Sequence, residues 1–229
     1  MALDFQYVEV PLPTPKKDEV LIKMEAASLS PIDWKIQQGV LKPMFPRELP
    51  QIPGTDVAGE VDQVGSGVKN VKAGDKVVAM LSFVINYTLT VPRPPEVSAA
   101  EGAGLPAAGL MAHQALTKSA RIKLDGSGKP TNILITGASL CRTHFLIFDV
   151  NPTPSAIKTY ALKKLTFNKK QLIPVLLTGK AENLDSLVKL VKEGKLKTVI
   201  DSKYSMSKPE DAWAKNADNK VNGKIIVEP

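Results

Sequence analysis

The segment Asn132-Ile133-Leu134-Ile135-Thr136-Gly137-Ala138-Ser139 carries the clearest chemistry in the chain. β-Prone residues running into Gly-Ala-Ser describe a buried parallel strand that turns toward a helix N-terminus, where free backbone N–H groups and the helix dipole favour a phosphate. Gly137, Ala138 and Ser139 are therefore the candidate pyrophosphate contacts. A dinucleotide loop uses glycines for the tight turn, for close approach of the backbone and for helix packing. Gly137 supplies one, and Leu140-Cys141-Arg142-Thr143-His144 supplies none.

The remaining reactive inventory is small. Cys141 is the only cysteine, which excludes an internal disulfide and a thiolate-rich zinc site. His113 and His144 are the only histidines, and His113 lies in an Ala-rich stretch that reads as an ordinary helix. No Ser-His-Asp arrangement follows from spacing, and no metal is expected.

The elements that position these residues come from a chain of ordinary globular composition, 229 residues with 43% hydrophobic content. No run approaches the roughly 18 apolar residues of a membrane span, and the first residues match neither a signal nor a transit peptide, so a soluble intracellular protein is expected. Charge is uneven. Residues 1 to 117 carry 10 Lys+Arg against 13 Asp+Glu, whereas residues 118 to 229 carry 20 against 10. The acid-free span between Asp149 and Glu182 holds Lys158, Lys163, Lys164, Lys169, Lys170 and Lys180. It reads either as a solvated helix face or as a surface for phosphates or an anionic membrane. No nucleic-acid partner is expected.

Val20, Ile22 and Met24 alternate as one side of a strand that opens an antiparallel sheet. Ser30-Pro31-Ile32-Asp33 starts a helix, with Ser30 as cap and Asp33 at the positive end, and Gly39 closes it. Prolines 43, 46, 50 and 53 make residues 40 to 53 a connection. From Gly54 to Val78, two valine-rich strands joined by glycine turns and a third after Gly74-Asp75 predict a compact barrel-like β-region. Ser98-Ala99-Ala100-Glu101 is a capping box opening helical material to about Ser119. Ile157 to Leu177 is amphipathic, suited to a membrane surface or to a core face. Leu184, Leu187, Val188, Leu190 and Val191 mark a helix ending before Gly194. A strand at Lys197 to Asp201, a helix at Lys208 to Lys215 capped by Ser207, and a strand at Lys224 to Val227 close the chain.

The pattern Gly54-x-Asp56-x-x-Gly59-x-Val61-x-x-x-Gly65, followed by Gly74-Asp75-x-Val77, resembles the quinone oxidoreductase branch of the medium-chain dehydrogenases/reductases. Ala26 to Trp34, Leu105 to Leu116, Leu187 to Asp201 and Gly223 to Val227 are similar to other family segments. The resemblance implies an α/β protein: a GroES-like β-barrel substrate domain over 1–97 and 198–229, and a Rossmann-like cofactor domain over 98–197. It also implies NADPH, a zinc-independent hydride transfer to a quinone or α,β-unsaturated carbonyl, and, from its plant members, the periphery of the chloroplast envelope. Thr55-Asp56 stands where zinc-dependent relatives carry a metal-binding pair. Ser30 and Thr55 are placed near the substrate, Ser30 replacing the usual Asn. Lys35 stands where many members have Tyr, as a candidate donor to an enolate oxygen or a solvated helix lysine. Met111 replaces a Thr near the nicotinamide.

A complete doubly wound domain needs roughly 130 residues if each βαβ unit takes about 30. Ser119 to Lys197 provides 79, and the family pattern stops at Leu140 and resumes near Asp149. The cofactor domain is therefore read as incomplete, with an inactive binding or membrane-peripheral remnant as the alternative function. A sheet edge left unpaired by missing strands would favour a homodimer.

Overall fold

The computed structural model describes residues 8–39, 52–81, 89–128, 177–218 and 221–229. The chain divides into two compact units, Met1–Leu110 with Gly179–Pro229, and Met111–Thr178.

The first unit is built on β1 (Val20–Leu29), which pairs antiparallel with β2 (Asp56–Val64) on one side and β6 (Lys224–Glu228) on the other. Beyond β2 lie β3 (Lys76–Met80) and β4 (Leu89–Pro92), both antiparallel. Beyond β6 lies β5 (Ile200–Ser205), which runs parallel to it. The order is β4-β3-β2-β1-β6-β5. Among the described residues the barrel-like β-region expected from the sequence is a mixed, open sheet. Closure requires the end strands to hydrogen-bond to each other, and β4 and β5 occupy opposite ends of the sheet.

Register shifts occur at Leu21/Ile22 and at Met24/Ala26, and the second places an irregularity in β1 beside Gly59, the partner of Met24. A Cβ at Gly59 would lie 2.2 Å from the Lys23 carbonyl oxygen and 2.8 Å from Ile22 Cγ2, so only glycine lets the two backbones approach here. Residues 65 to 75 form a loop rather than the additional strand expected. Val71 is nevertheless buried in a cluster with Val61 and Val77, against which Val68 packs. Apolar spacing in that segment reports burial without extended pairing.

Helices cover the sheet. α1 (Pro31–Gln37) follows β1 directly, and Gly39 ends it at φ +71°. The helical stretch from Ser98 is split into α2 (Ala99–Ala103), α3 (Pro106–Gln114) and a π-helical turn (Ala115–Ser119). Pro106 disfavours helical backbone in the residue before it and has no N–H to continue the ladder, so it ends one helix and begins the next. The Ser98 capping box is formed: Glu101 N–H donates to Ser98 Oγ at 3.3 Å and Ser98 N–H to Glu101 Oε2 at 3.2 Å. Ser98→Ala is expected to lower stability by about 1 kcal/mol in urea unfolding, with Ser98→Asp recovering most of it.

α4 (Ala181–Lys192) packs Leu184, Leu187 and Val188 inward, as the spacing predicts. The strand expected at 197 begins instead at Ile200, and ahead of it the buried Thr198 hydroxyl donates to the Glu101 carbonyl at 3.0 Å. α5 (Pro209–Ala217) is preceded by Lys208 at the cap position rather than Ser207, whose N–H goes to Ser205 Oγ. Trp213 of α5 is buried with Leu29, Ala212 and Ile225, and Trp34, Tyr204, Val221 and Val227 pack around them.

In the second unit, Gln114 Oε1 accepts from Thr178 N–H at 2.8 Å, and Lys118 Nζ donates to Thr178 Oγ1 at 3.0 Å. Asp125, Gly126 and Ser127 form the expected turn, with Ser127 N–H donating to Asp125 Oδ1 at 2.9 Å and Gly126 at φ +77°. The lysine-rich segment 158–170 lies outside the described residues. No helix among the described residues is long and apolar enough to cross a membrane.

Candidate functional site around Ser30

Where β1 passes into α1, the chain gathers three buried or half-buried charged groups around one serine. Ser30 precedes α1 in extended conformation (φ −130°, ψ 156°), and Pro31 presets the first helical φ. The Asp33 carboxylate reaches back across the first turn. Its Oδ2 accepts from Ser30 N–H at 2.7 Å and its Oδ1 from Gly54 N–H at 3.0 Å. Gly54 sits at φ +91°, which an L side chain resists. Asp33 thus fastens the start of α1 to the approach of β2.

Asp33 is fully buried. Burial pushes its carboxyl up to about 6, with the neighbouring Asp56 adding to the rise, while its two backbone bonds and Lys224 pull it down. The folded protein therefore holds this proton more tightly than the unfolded chain, whose value is 3.8. The resulting stability is fully present below pH 3.8 and is lost as pH rises through about 6. A shift of this size corresponds to at most about 3 kcal/mol. Asp33→Asn is expected to flatten the decline in stability between these two values, measured by urea unfolding across pH.

Asp56 opens β2, opposite Ser28 of β1, and is 1% exposed. Its Oδ2 accepts from Ala107 N–H in the first turn of α3 at 3.1 Å and faces Lys224 Nζ at 3.4 Å. Among the described residues Oδ1 has no partner within hydrogen-bond geometry, and the Thr55 hydroxyl beside the carboxylate exerts only a weak pull. Burial raises the Asp56 carboxyl, and Lys224 opposes that rise most strongly. Lys224, the first residue of β6, donates from Nζ to Ser30 Oγ at 2.9 Å. Asn216 of α5 donates from Nδ2 to the Ser30 carbonyl at 3.1 Å. Chemically, this is a hydroxyl held beside a cation, an arrangement that can hydrogen-bond to a carbonyl oxygen and stabilise negative charge developing on it.

Of the residues singled out in the sequence, Ser30 lies in this cluster. Thr55 is buried beside Asp56, its carbonyl accepting from Leu81 N–H at 2.6 Å. Lys35 is half-buried on α1 with Nζ 5.8 Å from the centre of the Trp34 ring. Met111 is half-buried on α3, in the second unit. Gly137, Ala138 and Ser139 lie outside the described residues. Residue type and spacing do not single out Asp56, Asn216 or Lys224, and for Asp33 they give only the role at the helix end. Their signal is a polar residue inside an otherwise apolar strand or helix face, as in Lys224-Ile225-Ile226-Val227. Among the described residues, no group of three or more His, Cys, Asp or Glu is arranged to hold a metal ion.

Comparison with known proteins gives two family matches: "Alcohol dehydrogenase GroES-like domain" over residues 16–123 and "Zinc-binding dehydrogenase" over residues 111–227. The "Chloroplast envelope quinone oxidoreductase homolog" of Arabidopsis thaliana is 46% identical over 312 residues, covering 100% of this chain and 95% of that protein. With 312 aligned positions and 229 residues, some 83 positions of the alignment have no counterpart in this chain. The "NADPH-dependent alkenal/one oxidoreductase, chloroplastic" of the same plant is 29% identical, covering 95% of this chain and 74% of that protein. The quinone oxidoreductase from Coxiella burnetii shares the fold, with a TM-score of 0.75, 24% identity and coverage of 98% of this chain and 94% of that one.

Proposed function

The chain belongs to the medium-chain dehydrogenase/reductase family, in its quinone oxidoreductase branch, and on that premise we propose that it reduces a quinone or an α,β-unsaturated carbonyl. The observation that carries this reading is the Ser30 cluster, in which Lys224 Nζ lies 2.9 Å from the hydroxyl oxygen. The hydride would come from a nicotinamide cofactor, proposed as NADPH, when one is bound. The chain's own part is to hold the substrate carbonyl and stabilise the oxygen that gains charge. Ser30 and Thr55 are assigned to the substrate and Lys35 to donation toward the enolate oxygen. Gly137, Ala138 and Ser139 are assigned to the pyrophosphate and Met111 to the nicotinamide. Among the described residues there is no glycine-rich strand-to-helix turn that fits a pyrophosphate, so the roles argued from geometry are confined to the substrate side.

The 83 unmatched alignment positions favour a second reading. A chain lacking much of the cofactor domain would bind the substrate without turning it over, as a binding or membrane-peripheral protein. Incubation with NADPH and a soluble quinone or enone separates the two. Loss of reduced-nicotinamide absorbance that depends on both substrates supports the reductase, and binding of the quinone with no such loss supports the remnant. A place at the periphery of the chloroplast envelope, through an anionic membrane surface, belongs to the same proposal. Co-sedimentation with anionic vesicles should then fall steeply with salt. A homodimer is proposed as well, and sedimentation velocity would show a single species of twice the chain mass.

A further inference from the structure

Ser30 has almost no hydrogen-bonding freedom left. Its N–H donates to Asp33 Oδ2 at 2.7 Å. Its carbonyl accepts from both Asp33 N–H at 3.0 Å and Asn216 Nδ2 at 3.1 Å. Its Oγ accepts from Lys224 Nζ at 2.9 Å. An ammonium has three donors and no acceptor, so the Ser30 hydroxyl cannot give its proton to Lys224. No other described residue accepts that proton, and Ser30 remains half-buried rather than enclosed.

We propose that Lys224 is a positioning residue that turns the Ser30 hydroxyl into a fixed, polarised donor for an oxyanion: the enolate, phenolate or hydroquinone oxygen of a planar substrate. This rests on the reductase reading for its biological setting, though not for its test. The lysine acts through the serine. It occupies one lone pair of Oγ and directs the hydroxyl proton elsewhere. Its positive charge also strengthens the hydroxyl as a donor at the moment negative charge arrives. Asp56 is the anchor that keeps the lysine there. Its carboxylate faces Nζ at 3.4 Å and is itself held by Ala107 N–H at 3.1 Å. A lysine side chain only 13% exposed, beginning a strand whose next two residues are fully buried, is otherwise an expensive placement.

The probe is 4-nitrophenol, a planar phenol whose ionisation is visible in its absorbance and which needs no cofactor. Bound to the wild-type chain, its apparent pKa is expected to fall by about one unit, a roughly tenfold preference for the phenolate. Lys224→Met and Ser30→Ala should each abolish most of that shift, and Lys224→Arg should retain it. Should Lys224→Met fail to fold, Ser30→Ala decides, because it leaves the Lys224–Asp56 pair in place. A folded Lys224→Met or Ser30→Ala variant that keeps the full shift overturns the proposal, as does a wild-type chain that shifts nothing. Absent quinone turnover alongside an intact, lysine-dependent phenolate shift would sink the reductase reading and leave this one standing. Turnover without the shift would do the reverse.

Discussion

Replacing Asp56 by alanine is expected to destabilise the first unit by about 3–5 kcal/mol at neutral pH, because it removes one member of a buried ion pair and strands the other. Lys224 would keep its place at the head of β6 with its side chain 13% exposed and its direct carboxylate partner gone, leaving only the longer-range attraction of Asp33. The Ala107 N–H would also lose its acceptor at the start of α3. Asp56→Asn keeps an oxygen for Ala107 and should cost less, about 1–3 kcal/mol. Adding Lys224→Met to Asp56→Asn should cost less than the sum of the single changes, since the stranded charge is gone. The two tryptophans of the chain, Trp34 and Trp213, both lie in the first unit. Urea unfolding followed by tryptophan fluorescence therefore reports on that unit alone. A cost for Asp56→Ala below about 1 kcal/mol would show that the pair contributes no more than a surface ion pair.

Trp213→Ala is expected to have a comparable effect, about 3–5 kcal/mol, by a different route. The indole is 5% exposed and fills the space between Leu29 of β1 and Ile225 of β6, with Ala212 beside it. Alanine leaves a cavity that α5 and the two strands cannot close without moving apart. Asn216 lies three residues further along α5, on the same side of the helix, and donates to the Ser30 carbonyl at 3.1 Å. Loss of the indole should therefore also loosen Ser30, so substrate binding should weaken beyond what the unfolded fraction explains. Trp213→Phe should retain most of the packing, and Trp34 remains as the fluorescent probe in either variant. Unchanged stability in Trp213→Ala would contradict the burial that places α5.

Much of the fold is legible locally. Ser30-Pro31-Ile32-Asp33 announces a helix start through residues that touch one another, and Ser98 with Glu101 does the same. Leu184, Leu187 and Val188 share a helix face by simple periodicity. What escapes such reading depends on residues far apart in the chain. Asp56 and Lys224 are separated by 168 residues, and no spacing rule links them. Thr198 has the β-branched character of a strand residue, yet its hydroxyl is drawn to the Glu101 carbonyl and the strand starts at Ile200. The glycine-rich turns around Gly65 and Gly74 predict sharply folded, barrel-like β-structure. Among the described residues they connect β2 to β3 within an open sheet. Asp33 was visible as a helix-favouring acid, but its second role, accepting from Gly54 N–H, exists only once residue 54 is folded against residue 30.

The most direct test of the proposed reductase is a titration with NADPH, followed by the fluorescence of the reduced nicotinamide and by energy transfer from tryptophan. Saturable binding at submillimolar cofactor, displaced by an excess of NADP+, is the predicted result. A linear response with no saturation over that range would contradict the assignment, leaving a family member that keeps the substrate-side fold and has lost the cofactor.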